Sequence, residues 1–220
     1  WKPAAYQKEQ DPIRGVFAYV ADGLLQPGEE APAHQPQLLP GQVKLKNING
    51  DDKLNEEDMV LIGRNDPKFI FGFNNNFSYK NFDLNIYMYG QVGKIAGANS
   101  YYDAWGSYGN RIKLGQNVPV SFKDAWSSDN QTSTRPSFIE SAYGTGDLFL
   151  QKISFLRIRN ITLGYTVPTS KSICNRLRVY ADVNNPCVWT NWKGQDPETD
   201  SNTNAYPNVT SFSIGVDISF

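Results

Sequence analysis

Hydrophobicity in this chain alternates with period two over long stretches, and that pattern governs what it can fold into. From Phe69 to Tyr79 one parity carries Phe69, Phe71, Phe73, Asn75, Phe77 and Tyr79; the other carries Ile70, Gly72, Asn74, Asn76 and Ser78. Lys80-Asn81 reads as a tight turn, and then parity inverts: Phe82, Leu84, Ile86 and Met88 oppose Asp83, Asn85, Tyr87 and Tyr89. A hairpin keeps its two faces in register in this way. Ile161 to Val167, Leu177 to Val183 and Phe212 to Phe220 repeat the pattern. The run 151–159 extends the strand at Ile161–Val167, with a parity break near Arg157–Asn160 that predicts a bulge. Gly15 to Ala21 is a weaker strand candidate. The expected strands are 69–79, 81–90, 150–167, 176–185 and 209–220, and the fold class is all-β and antiparallel.

Each strong apolar face lacks charge. A soluble β-sandwich would bury such a face in its core. An outer-membrane β-barrel would set it in lipid, where a charge at mid-depth costs roughly 2–4 kcal/mol. Three features favour the barrel. Eleven residues from Phe69 to Tyr79 span about 36 Å, which covers about 25 Å once tilted by ~45°. The polar face is Ser, Gly, Asn, Asp and Tyr with little Lys or Glu, which suits a crowded wet interior. Connections alternate short and long: 80–81 and 168–175 are short, 91–148 and 185–208 long, the pattern of periplasmic turns and extracellular loops. Phe220 closes the last alternating strand without a tail.

Other chemistries drop out. With 21 basic and 22 acidic residues the net charge is −1, so no nucleic-acid partner is expected. The one histidine, His34, cannot furnish a zinc site or a catalytic triad. Asp196 and Glu198 are a carboxylate pair of the kind glycosidases use, but they sit in an Asp-Pro-Glu turn, and no enzyme activity is expected. Cys174 and Cys187 would lie near opposite ends of one strand, about 43 Å apart, so no disulfide should join them. The chain opens at Trp1 without Met, which suggests a fragment or a processed chain.

One metal site is a candidate. Asn47 to Asp58 carries oxygen donors at the spacing of a calcium loop: Asn47, Asn49, Asp51, Asn55 and Asp58 through side chains and Lys53 through its carbonyl. Asn at the first position and Asp52 in place of the usual glycine depart from that pattern, and an Asx-rich turn before a short helical turn is the alternative. Any ion would be structural, not catalytic. Tyr101, Tyr102, Trp105 and Tyr108 are the candidate substrate contacts, since sugar rings stack on aromatic faces; a loop folding on its own aromatics is the competing reading. Trp189 and Trp192 are placed in an interfacial belt.

Four stretches carry a family likeness. Gly15 to Gln26 reads GVFAYVADGLLQ; Gly41 to Gly63 reads GQVKLKNINGDDKLNEEDMVLIG; Asn65 to Gly90 reads NDPKFIFGFNNNFSYKNFDLNIYMYG; Ser154 to Pro168 reads SFLRIRNITLGYTVP. In order and over nearly the whole length, the chain resembles the C-terminal part of SusC/RagA-type TonB-linked outer-membrane transporters of Bacteroidetes. That likeness implies the last five or six strands of a plugged barrel of about 22 strands, integral to the bacterial outer membrane, with 22–67, 91–148 and 185–208 outside. It implies a SusD-like surface lipoprotein, the TonB complex acting through a missing N-terminal part, and an oligosaccharide or peptide as cargo. Asp83, Tyr87, Tyr89, Arg178, Tyr180 and Asp182 would face the lumen, with Arg157 and Arg159 in a network at the rim or in the lumen. The alternative is a secreted, calcium-stabilised β-sandwich that binds glycan.

Overall fold

A computed structural model describes residues 14–97, 115, 117, 120–138, 142–169, 174–194, 196–199 and 206–220. Among these residues are nine strands: β1 Gly15–Ala18, β2 Ala21–Leu24, β3 Val43–Leu45, β4 Val60–Arg64, β5 Phe69–Tyr79, β6 Phe82–Gly97, β7 Leu150–Val167, β8 Arg176–Thr190 and β9 Ser211–Ser219. Strands β5 to β9 form one antiparallel sheet in chain order; β1 pairs with β4 and β2 with β3. The chain divides into two compact units, one built on residues 67–94, 152–199 and 204–220, the other on 1–66, 95–151 and 200–203.

The sheet unit follows the alternation closely. β5 pairs with β6 without a slip from Phe69↔Val92 to Tyr79↔Phe82. Cross-strand partners share a face, so Phe69, Phe71, Phe73 and Phe77 align with Val92, Gly90, Met88 and Leu84. The opposite face aligns Gly72, Asn74, Asn76 and Ser78 with Tyr89, Tyr87, Asn85 and Asp83. In β7, β8 and β9 the apolar sets Ile161/Val183/Phe212, Leu163/Ala181/Ile214 and Tyr165/Val179/Val216 are likewise in register. The apolar face is bare: Phe73 is 54% exposed, Phe77 58%, Leu163 50% and Ile214 83%. The short connections lie at one end, where Thr166 N donates to Asn81 O at 2.8 Å and Asn175 N to Ser219 O at 2.7 Å.

The expected bulge is present, between Ile158 and Asn160. Opposite Arg159, β8 inserts Asn185 and Pro186, with Asn185 at φ 49°. Proline can offer no ladder hydrogen bond, so a bulge is where a strand tolerates it. The bulge also explains the broken parity. Tyr89 belongs to the polar face, its ring meets Phe155 at 5.8 Å, and the Arg159 guanidinium stands 5.9 Å above it. Phe155, Arg157 and Arg159 therefore share the polar side, and Leu156 and Ile158 stay on the apolar side with Ile161.

Two strands exceed their expected lengths. β8 does not end at residue 185, because the bulge absorbs Pro186, and it runs to Thr190. Cys187 consequently pairs with Ile158 within the strand. β6 continues past Gly90 to Gly97: at Gly90 a Cβ would fall 2.7 Å from Phe155 O and against the Phe71 ring, so that glycine serves a close approach, not a chain reversal. Both cysteines are free.

The second unit turns long connecting segments into ordered structure. The weak candidate at Gly15–Ala21 resolves into β1 and the start of β2. Leu24, Val43, Leu45 and Trp126 form a core with Tyr19, Ala21, Leu54 and Tyr143 packed on it. Gln35, fully buried, supplies the edge of β3 with hydrogen bonds: Oε1 accepts from Leu45 N at 2.7 Å and Nε2 donates to Val43 O at 3.5 Å. Asp147 closes the same unit, its Oδ1 accepting from Ala21 N at 2.8 Å and its N–H donating to Tyr19 O at 2.9 Å.

Candidate functional site

The polar face of the sheet is a continuous hydrogen-bonded surface. Asn85 donates to Asn74 Oδ1 at 2.7 Å and to Asn76 Oδ1 at 2.6 Å. Asp182 accepts from Thr162 at 2.7 Å, from Asn184 at 2.7 Å and from Asn160. Arg178 on β8 reaches across β7 to Asp83 on β6, with Nη2–Oδ2 at 2.5 Å and Nε–Oδ1 at 3.0 Å, and turns Nη1 to Asp217 on β9 at 3.1 Å. That bidentate crossing passes over Gly164, where a Cβ would lie 2.5 Å from Arg178 Nη2 and 2.5 Å from Asp83 Oδ1. The sequence assigned Asp83, Arg178 and Asp182 to this face; it gave no sign that Asp83 and Arg178 meet, because β6 and β8 are not adjacent in the sheet.

Beyond the bulge the face carries an ion-pair clamp. Arg157, 3% exposed, donates from Nη2 to Asp196 Oδ1 at 2.8 Å, and its Nε lies 3.1 Å from Glu198 Oε2. Arg159 Nη2 donates to Glu198 Oε1 at 2.8 Å. Asn208 donates its backbone N–H to Asp196 Oδ2 at 2.9 Å and its amide to Glu198 Oε2 at 2.6 Å. Burial pushes Asp196 up, but the N–H groups of Glu198 and Asn208, then the Arg157 charge and the Asn208 amide, bring it below the ordinary carboxylate value. Through these contacts Asp196 and Glu198 fasten the segment after β8 to β7. Trp192, placed in an interfacial belt by its sequence, is 6% exposed and belongs to this folded segment, whereas Trp189 is 54% exposed.

The Asn47–Asp58 loop is organised around Asp58, which is fully buried. Its Oδ1 accepts from Ile48 N at 2.7 Å and Asn49 N at 3.3 Å, and its Oδ2 from Asn55 N at 3.0 Å. Asn55 caps the 3-10 turn Glu56–Asp58 by accepting from Glu57 N at 2.7 Å. Asn47 Oδ1 accepts from Gly50 N at 2.7 Å, Asn49 Oδ1 from Asp51 N at 3.0 Å, and Asp51 Oδ1 from Lys53 N at 2.9 Å. The last two are successive Asx turns, and the first reaches one residue further along the chain. Among the described residues no three His, Cys, Asp or Glu side chains stand where they could share an ion, so a cation here would depend largely on asparagine oxygens and the Lys53 carbonyl beside Asp51. Asp58, the expected ligand at the twelfth position of the loop, closes it through these three backbone N–H groups. Tyr19 adjoins it: burial first, then the charges of Glu56 and Asp58, raise its hydroxyl above its usual value. Tyr101, Tyr102, Trp105 and Tyr108 lie outside the described residues.

No family model matches the chain. It is 28% identical over 236 residues to TonB-dependent receptor P3 of Formosa agariphila, covering 97% of this chain and 23% of that protein. It is 27% identical over 180 residues to TonB-dependent receptor SusC of Bacteroides thetaiotaomicron, covering 78% of this chain and 17% of the relative. Among solved structures it superposes on the RagAB peptide transporter with a TM-score of 0.72 at 23% identity, covering 94% of this chain and 23% of the other. A second superposition, on the "closed-closed" state of the RagAB peptide importer, gives a TM-score of 0.66. The chain spans less than a quarter of the length of these relatives.

Proposed function

The chain is a relative of the SusC kind of TonB-dependent receptor, and from that premise we propose that its five-stranded sheet is part of the wall of an outer-membrane import barrel. One observation carries the reading: the sheet's bare face is apolar and uncharged from Phe69 to Tyr79 and across β6 to β9, while the opposite face is a satisfied polar network. Ten residue steps along β5, tilted by ~45°, cover about 23 Å, close to the height of a barrel's apolar band. Exposed aromatics mark both ends of that band: Phe69 and Trp189 at one, Tyr79, Phe82 and Phe220 at the other. Aromatic girdles sit at such interfaces. The polar face then lines the interior, with the Arg178 and Arg157 networks stiffening a wall past which cargo moves. The wall performs no bond chemistry.

The proposed cargo is an oligosaccharide or peptide, captured with a SusD-like lipoprotein at the outer surface and moved at the expense of TonB-transmitted energy; the likeness to TonB-dependent receptors and to a peptide transporter supports that reading. Tyr101, Tyr102, Trp105 and Tyr108 are the proposed cargo contacts. The Asn47–Asp58 loop is the proposed calcium site, through Asn47, Asn49, Asp51, Asn55, Asp58 and the Lys53 carbonyl; Asp58 Oδ2 accepts a single backbone N–H, from Asn55, and keeps a lone pair for the ion. Extraction of native outer membrane in mild detergent, followed by mass spectrometry of what co-purifies, tests the reading. A longer polypeptide containing this chain, with an equimolar lipoprotein, supports it. A soluble 24.7 kDa chain found alone overturns it.

A further inference from the structure

Asn75 is the exception on the apolar face. It sits between Phe73 and Phe77 on β5, opposite Ile86 of β6. Its amide makes no hydrogen bond among the described residues, whereas its neighbours Asn74 and Asn76 on the other face are bonded to Asn85. With aromatics marking the ends of β5 at Phe69 and Tyr79, Asn75 lies near mid-depth, where an unpaired polar group is most costly. A leucine or valine there would complete the face. At such a depth the amide calls for a partner, and none stands among the described residues.

The strand's position indicates which one. β5 is an edge of the five-stranded sheet, so its outer backbone groups are open to a further strand. A residue directly opposite on that strand would stand about 4.5–5.5 Å from Asn75, on the same face. Nothing within this sheet can take the place: β9, the other edge, presents only Phe212, Ile214, Val216 and Ile218 on that face, so a second copy docking by β9 would leave Asn75 unpaired. The relatives are over four times longer than the chain, which leaves ample polypeptide to supply the strand. We infer that Asn75 hydrogen-bonds, within the apolar band, to an Asn, Gln, Ser or Thr side chain on the strand of the longer polypeptide that pairs with β5, and so fixes the register of that pairing.

The inference rests on the lipid-facing reading, and the test separates the two. In the full-length protein in its native membrane, Asn75→Leu, Phe77→Arg and a photo-crosslinking phenylalanine analogue at position 75 are compared. Phe77→Arg is the control: if it leaves the assembled fraction unchanged, the face is not in lipid and the underlying reading fails. If it lowers assembly, Asn75→Leu decides. A fall of several degrees in the temperature at which the barrel loses its folded gel mobility supports the inference; an unchanged or higher temperature overturns it. The crosslink gives a second measure that does not need the leucine variant to fold. Capture of a same-polypeptide peptide bearing an outward Asn, Gln, Ser or Thr supports it. Capture of lipid alone, of another protein, or of Asn75 from a second copy overturns it.

Discussion

Gly164 shows how one missing side chain lets two strands communicate across a third. Arg178 reaches Asp83 only because nothing stands on β7 between them. Gly164→Val should break that bidentate pair and cost about 1–3 kcal/mol, read as a lower unfolding midpoint, while Thr166→Val on the same strand should cost less. Asp58 is a second such residue, since three backbone N–H groups converge on it. Asp58→Ala leaves those donors orphaned, and limited proteolysis should then cut within 47–58 with or without calcium. Asp196 gives the pH dependence. Its folded-state value is lowered, so its contribution is complete above the ordinary carboxylate range and is lost as pH falls through the lowered value. Trp192 fluorescence, reporting the pinned segment, should be flat from neutral pH to about pH 5 and change only in stronger acid; a transition near neutrality would mean another group governs the clamp. Of these residues the sequence exposed the identities but not the pairings. Asp196 with Arg157 and Asp83 with Arg178 are separated by 39 and 95 positions, and only the strand register brings them together.

At the scale of the element, what was legible was what period two can carry. β5 and its turn at Lys80-Asn81 fall where the inverted parity puts them, and β7 keeps its expected bounds with its bulge at the broken parity. The strand ends that were missed have physical reasons. Proline at 186 normally argues for an end, yet a bulge gives it a place without a ladder bond. Between residues 19 and 45 the short strands depend on buried Gln35 and on Asp147, a partner more than a hundred positions away, and no local pattern signals that. The faces of β9 provide the element-level prediction. Ile214→Arg should lower the assembled fraction in membranes by an amount matching roughly 2–4 kcal/mol, and Ser213→Arg, one residue along on the polar face, should cost far less. A sandwich reading would need a second layer over Phe73, Phe77, Leu163 and Ile214, all of which are half-exposed or more.

For the whole molecule, the edges left open at β5 and β9 among the described residues and the bare apolar face fit the proposed barrel wall, which needs further strands beside the sheet and lipid against it; TonB-dependent receptor P3, over four times longer than the chain, is long enough for such a barrel. Spin-label accessibility along β5 in the full-length protein, with single cysteines placed from position 69 to 79 in native membrane, measures most directly whether this face lies in lipid. A lipid-facing β5 gives a period of two, with oxygen accessibility highest at 71, 73 and 77 and water-soluble nickel reagent favoured at 72, 74 and 76. Equal access of the nickel reagent to both sets would contradict it, because the apolar face would then be in water.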